Sequence, residues 1–295
     1  MPTIPRPEDD LGQLDAELAG IDQLDVPVAP APTRLARVWA QVWPKLAAIG
    51  LFFLIWQIVV WTHWRPEYIL PGPRTAFSAL GDAISEGTLV RAIGVTMRRA
   101  ALGYALAIVI GSALGLAVAR NRVLRAAIAS MITGLQTMPS IAWFPLAIVL
   151  FGLTEGAITF VVVLGAAPAI ANGVISGIDH IPPLLLRAGR VLGARGVAAY
   201  RHVILPAALP GFVAGLKQGW AFAWRSLMAG ELIVIIAKRP SLGQQLEFTR
   251  TNTDYPGLVA TMIVILIIGI VIDGLIFAKI EQTIRQRWGL LDAGA

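Results

Sequence analysis

The sequence contains no cysteine. Disulfides, thiol catalysis and cysteine-ligated zinc are therefore excluded. Histidine is scarce: His63, His180 and His202 lie far apart in sequence and form no metal-ligand pattern, so no metal site is expected. Charge is scarce too, at 14% of residues, where an ordinary soluble domain carries roughly a quarter. The chain has no G-x-x-x-x-G-K-S/T phosphate loop, so it cannot hydrolyse ATP by that chemistry. It has no G-x-S-x-G and no H-E-x-x-H either. A basic, apolar leader is also missing. Residues 1–25 carry Asp9, Asp10, Asp15, Glu17, Asp22 and Asp25 against a single base, Arg6, the reverse of a secretory signal.

What the chain has instead is apolar sequence in long blocks. Hydrophobic residues make up 56% of it, and the mean hydropathy is +0.71. A soluble domain cannot hide that much apolar surface, so the relevant solvent is lipid. Six segments stand out, at residues 46–61, 95–118, 126–151, 157–178, 210–236 and 258–278. Backbone groups in lipid must be satisfied within the segment, so these are expected to be helices. The alternating short strands of a membrane β-barrel are missing. The expectation is an all-α polytopic membrane protein with about six transmembrane helices.

The formal net charge of +6 is read as basic cytoplasmic loops rather than as a nucleic-acid surface. With the N-terminus inside, fourteen Lys and Arg fall in inside segments and eight in outside segments, with Lys217 and Arg225 inside a span. That bias puts both termini in the cytoplasm. The expected organisation is a disordered cytoplasmic tail at 1–33, a first span with its external loop at 34–90, and a transmembrane domain at 91–280. Within that domain lies a cytoplasmic loop at 179–209, and residues 281–295 form a second cytoplasmic tail. The external loop has room for a short amphipathic helix after the rigid Leu70-Pro71-Gly72-Pro73 turn.

The cytoplasmic loop is the most informative stretch. Pro182 and Pro183 can open a helix. Leu184, Leu185, Ala188 and Leu192 then make one apolar stripe, with Arg187, Arg190 and Arg195 pointing elsewhere. Gly193 lets the chain turn, and Leu205-Pro206 leads into the next span. This resembles the cytoplasmic loop of binding-protein-dependent ABC permeases, written Glu-Ala-Ala, three residues, Gly, nine residues, Ile-x-Leu-Pro. Gly193 takes the glycine place and Val203-Ile204-Leu205-Pro206 the end. Arg187-Ala188-Gly189 stands where Glu-Ala-Ala is usual, which removes any ion pair made by that glutamate. Further stretches are similar to the nitrate, sulfonate, taurine and bicarbonate branch: Pro139-Ser140-Ile141-Ala142-Trp143-Phe144-Pro145-Leu146, Phe151-Gly152-Leu153-Thr154-Glu155-Gly156, Pro168 with Asn172, and Ala223-Trp224 with Glu231.

The resemblance implies a type I ABC importer transmembrane domain in the plasma membrane. It implies a permease homodimer, two cytoplasmic ATPase subunits that use ATP and Mg, and an extracytoplasmic solute-binding protein. This chain itself would bind no cofactor and catalyse nothing. Leu184, Leu185, Arg187, Ala188, Gly189, Gly193, Ala194, Leu205 and Pro206 would form the ATPase-coupling segment. An aliphatic sulfonate is the expected cargo, with nitrate, taurine and bicarbonate beside it.

Polar residues inside spans are costly and mark candidate function. Lys217, Gln218, Arg225 and Glu231 form one wedge on the fifth span, open to two readings: a path for an anion, or Lys217 or Arg225 pairing with Glu231. Gln136, Ser140 and Asn172 are candidates for the same translocation path, or for hydrogen bonds between helices. Asp273 has no partner evident in the sequence. A membrane-embedded enzyme would need a convergent nucleophile, acid and base, which the scattered histidines do not supply. A secondary carrier often shows inverted repeats, and none is seen.

Overall fold

A computed structural model describes residues 34–236 and 239–287. The expected disordered tail at 1–33 lies outside those residues, as do residues 288–295. The described residues are helical, with no strand among them, as the backbone demands in lipid. The chain divides into two compact units, one through Ile58 and one from Val59.

The first unit holds most of α1, Arg34–Trp61. Its stretch Val42–Trp61 is apolar over 20 residues, about 30 Å at the helical rise and enough to cross a bilayer. The span thus begins before residue 46, because Val42 and Trp43 extend the apolar run. Phe53 stacks on Trp56 with ring centroids 6.0 Å apart.

The second unit is a bundle. The loop expected to be external forms α2, Pro73–Ser85, with Pro73 in its first turn, where a missing N–H costs nothing. Next come α3, Thr88–Arg120, α4, Arg122–Thr137, and α5, Phe144–Phe151. The chain continues through α6, Glu155–Asp179, α7, Pro183–Val191, and α8, Leu205–Ile233. It ends with α9, Leu242–Thr251, α10, Tyr255–Ile272, and α11, Ala278–Arg287. Between α10 and α11, a π-helical turn at Asp273–Phe277 keeps the rod continuous.

Five helical stretches among the described residues are long and apolar enough to span a membrane. A sixth span exists only if the bent pair Val123–Thr137 and Ser140–Phe151 counts as one, and its two arms meet at 103°. The helical segment expected at 126–151 is therefore broken, at Pro139, one of the prolines able to kink or break it. Met138 precedes Pro139 and sits extended, at φ −79 and ψ 127, because the proline ring excludes the helical region there. A short 3₁₀ turn, Ser140–Trp143, then restarts the chain into α5, where Pro145 falls in the tolerated first turn.

The core sits around α6. Its Ile158, Val161, Val162, Ala166, Ala169 and Ile170 are all buried. Small residues let α3 and α8 close on its two sides. A Cβ on Gly111 of α3 would lie 2.6 Å from the Ala167 carbonyl, and one on Gly211 of α8 would lie 2.5 Å from Gly177 Cα. The spacing of four between Gly211 and Gly215, and between Gly173 and Gly177, keeps both small faces in register. Lipid supplies no hydrophobic drive between helices, so this close backbone packing is what holds them.

Leucine at Gly215 is expected to lose at least about 3 kcal/mol, the upper range for overpacking. A Cβ there already falls 2.6 Å from Gly173 Cα, and backbone cannot step aside. Alanine at Gly94, in α3, meets nothing within 4 Å and should be neutral or slightly stabilising by helix propensity. Thermal unfolding of both variants in detergent checks the contrast; equal midpoints would contradict this packing.

Candidate functional site

Three polar constructions sit at different heights in the bundle. At one end, α7 follows Pro182 and Pro183 and is closed by a Schellman motif. The Gly193 N–H donates to the Arg190 carbonyl at 3.1 Å, and the Ala194 N–H to the Gly189 carbonyl at 2.9 Å. Gly193 holds φ +83, the left-handed position that such a stop requires. A π-helical turn, Tyr200–Ile204, leads into Leu205 and Pro206 at the foot of α8. Helix α7 rests on this turn through Gly189, where a Cβ would meet Val203 Cγ2 at 2.8 Å.

The stripe expected from periodicity is present but faces outward. Leu184 is 74% exposed and Leu192 86%, with Leu185, Val191 and Val197 exposed beside them. Arg187, Arg190, Arg195 and Arg201 are exposed as well. The bundle braces this end: Arg125 pairs with Asp179 at 2.8 Å, and the Arg120 guanidinium lies over the Tyr200 ring at 5.5 Å.

At the opposite end, Glu231 is fully buried and fully partnered. It accepts from Thr96 Oγ1 at 2.9 Å, from Arg99 at 2.9 Å and from the Gly243 N–H at 3.1 Å. Arg99 also forks onto Glu155, at 2.7 and 2.8 Å, and Arg239 reaches the same carboxylate at 3.0 Å. Thr96 Oγ1 accepts the Leu242 N–H at 2.9 Å. One planar guanidinium thus ties α3 to the start of α6 and the end of α8, a bidentate geometry that Lys cannot reproduce. The first N–H groups of α9 are satisfied by Thr96 and Glu231, at the helix end that favours negative charge.

The third construction lies between them. Lys217 Nζ stands 3.5 Å from Asp273 Oδ1, in a cleft of about 690 Å³ whose lining includes Pro210, Ala214, Gln218, Ala221 and Glu281. Above it, Tyr104 meets Trp220 edge-on at 5.4 Å and Trp220 stacks on Trp224 at 5.9 Å. Tyr104 Oη donates to the Leu216 carbonyl at 2.7 Å. Lys217 and Glu231 lie fourteen positions apart on α8, about 21 Å along the axis.

The wedge expected on α8 is therefore divided. Neither Lys217 nor Arg225 pairs with Glu231, which takes Arg99 instead. Lys217 goes with Gln218 to the cleft, and Asp273 is its partner. Arg225 is exposed; its Nε donates to the Ala221 carbonyl at 3.1 Å and its guanidinium lies 5.2 Å over Phe222. Gln136 Nε2 is buried without a hydrogen-bond partner among the described residues. Ser140 opens the 3₁₀ turn, close to the buried Ser226. A Cβ on Gly165 would meet Ser226 Oγ at 2.5 Å and Ser140 Cβ at 3.7 Å. Asn172 is half-buried on α6. Thr96, Arg99, Glu155, Arg239 and Asp273 were not among the expected site residues. For Arg99 the available signal was its position inside the segment 95–118, where an ionisable group is itself a warning.

The described residues thus combine an exposed apolar-basic surface at one end, an ionic cluster at the other and a charged cleft among helices long and apolar enough to span a membrane. The family of binding-protein-dependent transport system inner membrane components matches residues 107–286, more than half of the chain, and this protein belongs to that family. A permease of Escherichia coli named for aliphatic sulfonate transport is 27% identical over 249 residues, 84% of this chain and 92% of that one. The Escherichia coli taurine transport system permease is 24% identical over 230 residues, 76% of this chain and 84% of that one. The bicarbonate transport system permease of Synechococcus elongatus is 29% identical over 200 residues, 64% and 71% of the two chains. The fold matches a structure of the MetNI methionine ABC transporter in inward-facing form, with a TM-score of 0.57 at 22% identity. That match covers 68% of this chain and 97% of the other.

Proposed function

We propose that this permease carries a small anion, an aliphatic sulfonate ahead of nitrate, taurine or bicarbonate, across the plasma membrane by alternating access. A separate pair of ATPase subunits binds ATP and Mg, and a solute-binding protein delivers cargo from outside. The permease works as a homodimer with both termini in the cytoplasm, so α7 lies inside and the Arg99 cluster outside. The relatives named for sulfonate, taurine and bicarbonate transport support the cargo class.

The observation that carries the reading is the state of α7. It is fixed to the foot of α8 through Gly189 and Val203, yet leaves Leu184, Leu185, Val191 and Leu192 uncovered. A rigid lever with an exposed apolar face is what a coupling element needs: the face docks, and the contact with Val203 passes motion into α8. Residues 183–204 contain four arginines and no acidic residue, so the ATPase cleft that receives them is acidic. Arg99, Glu155 and Glu231 hold the outer ends of α3, α6 and α8 together, and this cluster must rearrange for the path to open outward. Gln136, Ser140, Asn172, Lys217, Gln218 and Arg225 belong to the route, with Lys217 its main attraction for an anion.

The absence of cysteine makes docking directly testable. A single cysteine at Leu192, paired with cysteines along the ATPase cleft, is expected to form one dominant cross-link that ATP changes. A cysteine at Phe248, exposed on α9, should give none. Cross-linking from Phe248→Cys but not Leu192→Cys would overturn both the docking and the orientation.

A further inference from the structure

We infer that the Lys217–Asp273 pair is a two-headed ligand site, built for a small solute that carries an anionic group and a cationic amine a few bonds apart. This rests on the transport reading above and reorders its cargo: among sulfonates, one that carries an amine is favoured over the plain anion.

The pair does not have the geometry of a structural lock. The Arg99 contacts run from 2.7 to 2.9 Å, with Arg99 and Glu231 buried. Lys217 and Asp273 stand 3.5 Å apart, their side chains 42% and 52% exposed. That is well beyond a charge-assisted hydrogen bond, and it leaves donors on the ammonium and acceptors on the carboxylate unused. Both residues sit within segments otherwise suited to lipid, where half-exposed charges are expensive and are kept for function. The cleft of about 690 Å³ is in the range of small-ligand sites, and Ala214 and Ala221 keep room in it. The π-helical turn begins at Asp273 itself. Such a widening inside a rod is uncommon and is frequent at functional sites.

The sign of the charges selects the ligand. A plain anion drawn to Lys217 comes to rest beside the Asp273 carboxylate, with Glu281 a second carboxylate in the cleft lining, and like charges at that distance repel. A ligand with an ammonium group answers both charges: its anionic head takes Lys217, its amine takes Asp273, and Gln218 supplies a neutral partner. The two side chains then part around the ligand instead of facing each other.

Equilibrium binding to the full-length permease in lipid nanodiscs tests this, using 2-aminoethanesulfonate and ethanesulfonate, which differ only in the amine. The wild type is expected to favour the amino compound about ten-fold or more, as for one charged hydrogen bond. Asp273→Asn should abolish that preference, weakening the amino compound and tightening the plain anion. Asp273→Glu should keep it, which separates lost recognition from lost folding. Equal binding of the two compounds by the wild type, a preference unchanged in Asp273→Asn, or no binding of either at millimolar concentration would each overturn the inference. ATP-driven uptake of plain alkanesulfonates by the complete assembly, without regard to an amine, would keep the transport reading and remove this one.

Discussion

Arg99→Ala is expected to be the most damaging single change at the end of the bundle that holds the ionic cluster. Glu231 is fully buried, and among the described residues Arg99 is the cation that contacts it. Removing one partner of a buried pair leaves an uncompensated charge and costs about 3–5 kcal/mol. The loss spreads, because Arg99 also holds Glu155. Arg99→Lys should recover only part of it, since a point charge cannot fork onto two carboxylates. The double variant Arg99→Met with Glu231→Gln removes both charges and should regain much of the lost stability, because the penalty belongs to the orphaned charge. Thermal unfolding in detergent, monitored by size-exclusion chromatography, reads all three. An Arg99→Ala protein as stable as the wild type would show that the cluster carries no structural weight.

Gly193→Pro is expected to separate folding from transport. The turn at Gly193 needs φ +83 and an N–H for the Arg190 carbonyl. Proline fixes φ near −65° and has no N–H, so the stop of α7 is lost and its exposed leucines are re-aimed. The spans do not depend on this turn, and a Cβ at Gly193 meets nothing within 4 Å. The variant should therefore reach the membrane in normal amounts while ATP-linked uptake falls at least about ten-fold, an effect worth about 1.4 kcal/mol of coupling. Gly193→Asn, which tolerates the left-handed conformation, should keep most of the activity. Uptake that persists in Gly193→Pro would remove α7 from the coupling path.

Helix content and the number of apolar segments were legible because both follow from hydropathy and backbone satisfaction in lipid. The break near 138 was marked by Pro139, yet hydropathy alone joined the two arms, since both are apolar. The stripe on α7 was legible as a set of residues, but its direction was not. Periodicity says which side chains share a face, and only packing says that Gly189 turns inward against Val203.

The ionic cluster was the least legible part. Apolar runs placed the second span at 95–118, a segment that contains Arg98 and Arg99, yet the charge count assigned both to the external side. In the fold α3 begins at Thr88, because Leu89 and Ala92 already pack in the core, and Arg99 is drawn inside. Its carboxylate partner lies 132 residues away, a separation that no local pattern reports. Asp273 was opaque for the same reason: Lys217 lies on another helix.

The most direct test of the account is ATP-dependent uptake of a labelled alkanesulfonate into vesicles holding this permease with its ATPase and solute-binding protein. Nitrate, taurine and bicarbonate serve as competitors. The account predicts uptake that requires ATP hydrolysis and is inhibited most strongly by other sulfonates, taurine among them. Uptake that proceeds without ATP and follows an ion gradient would contradict it.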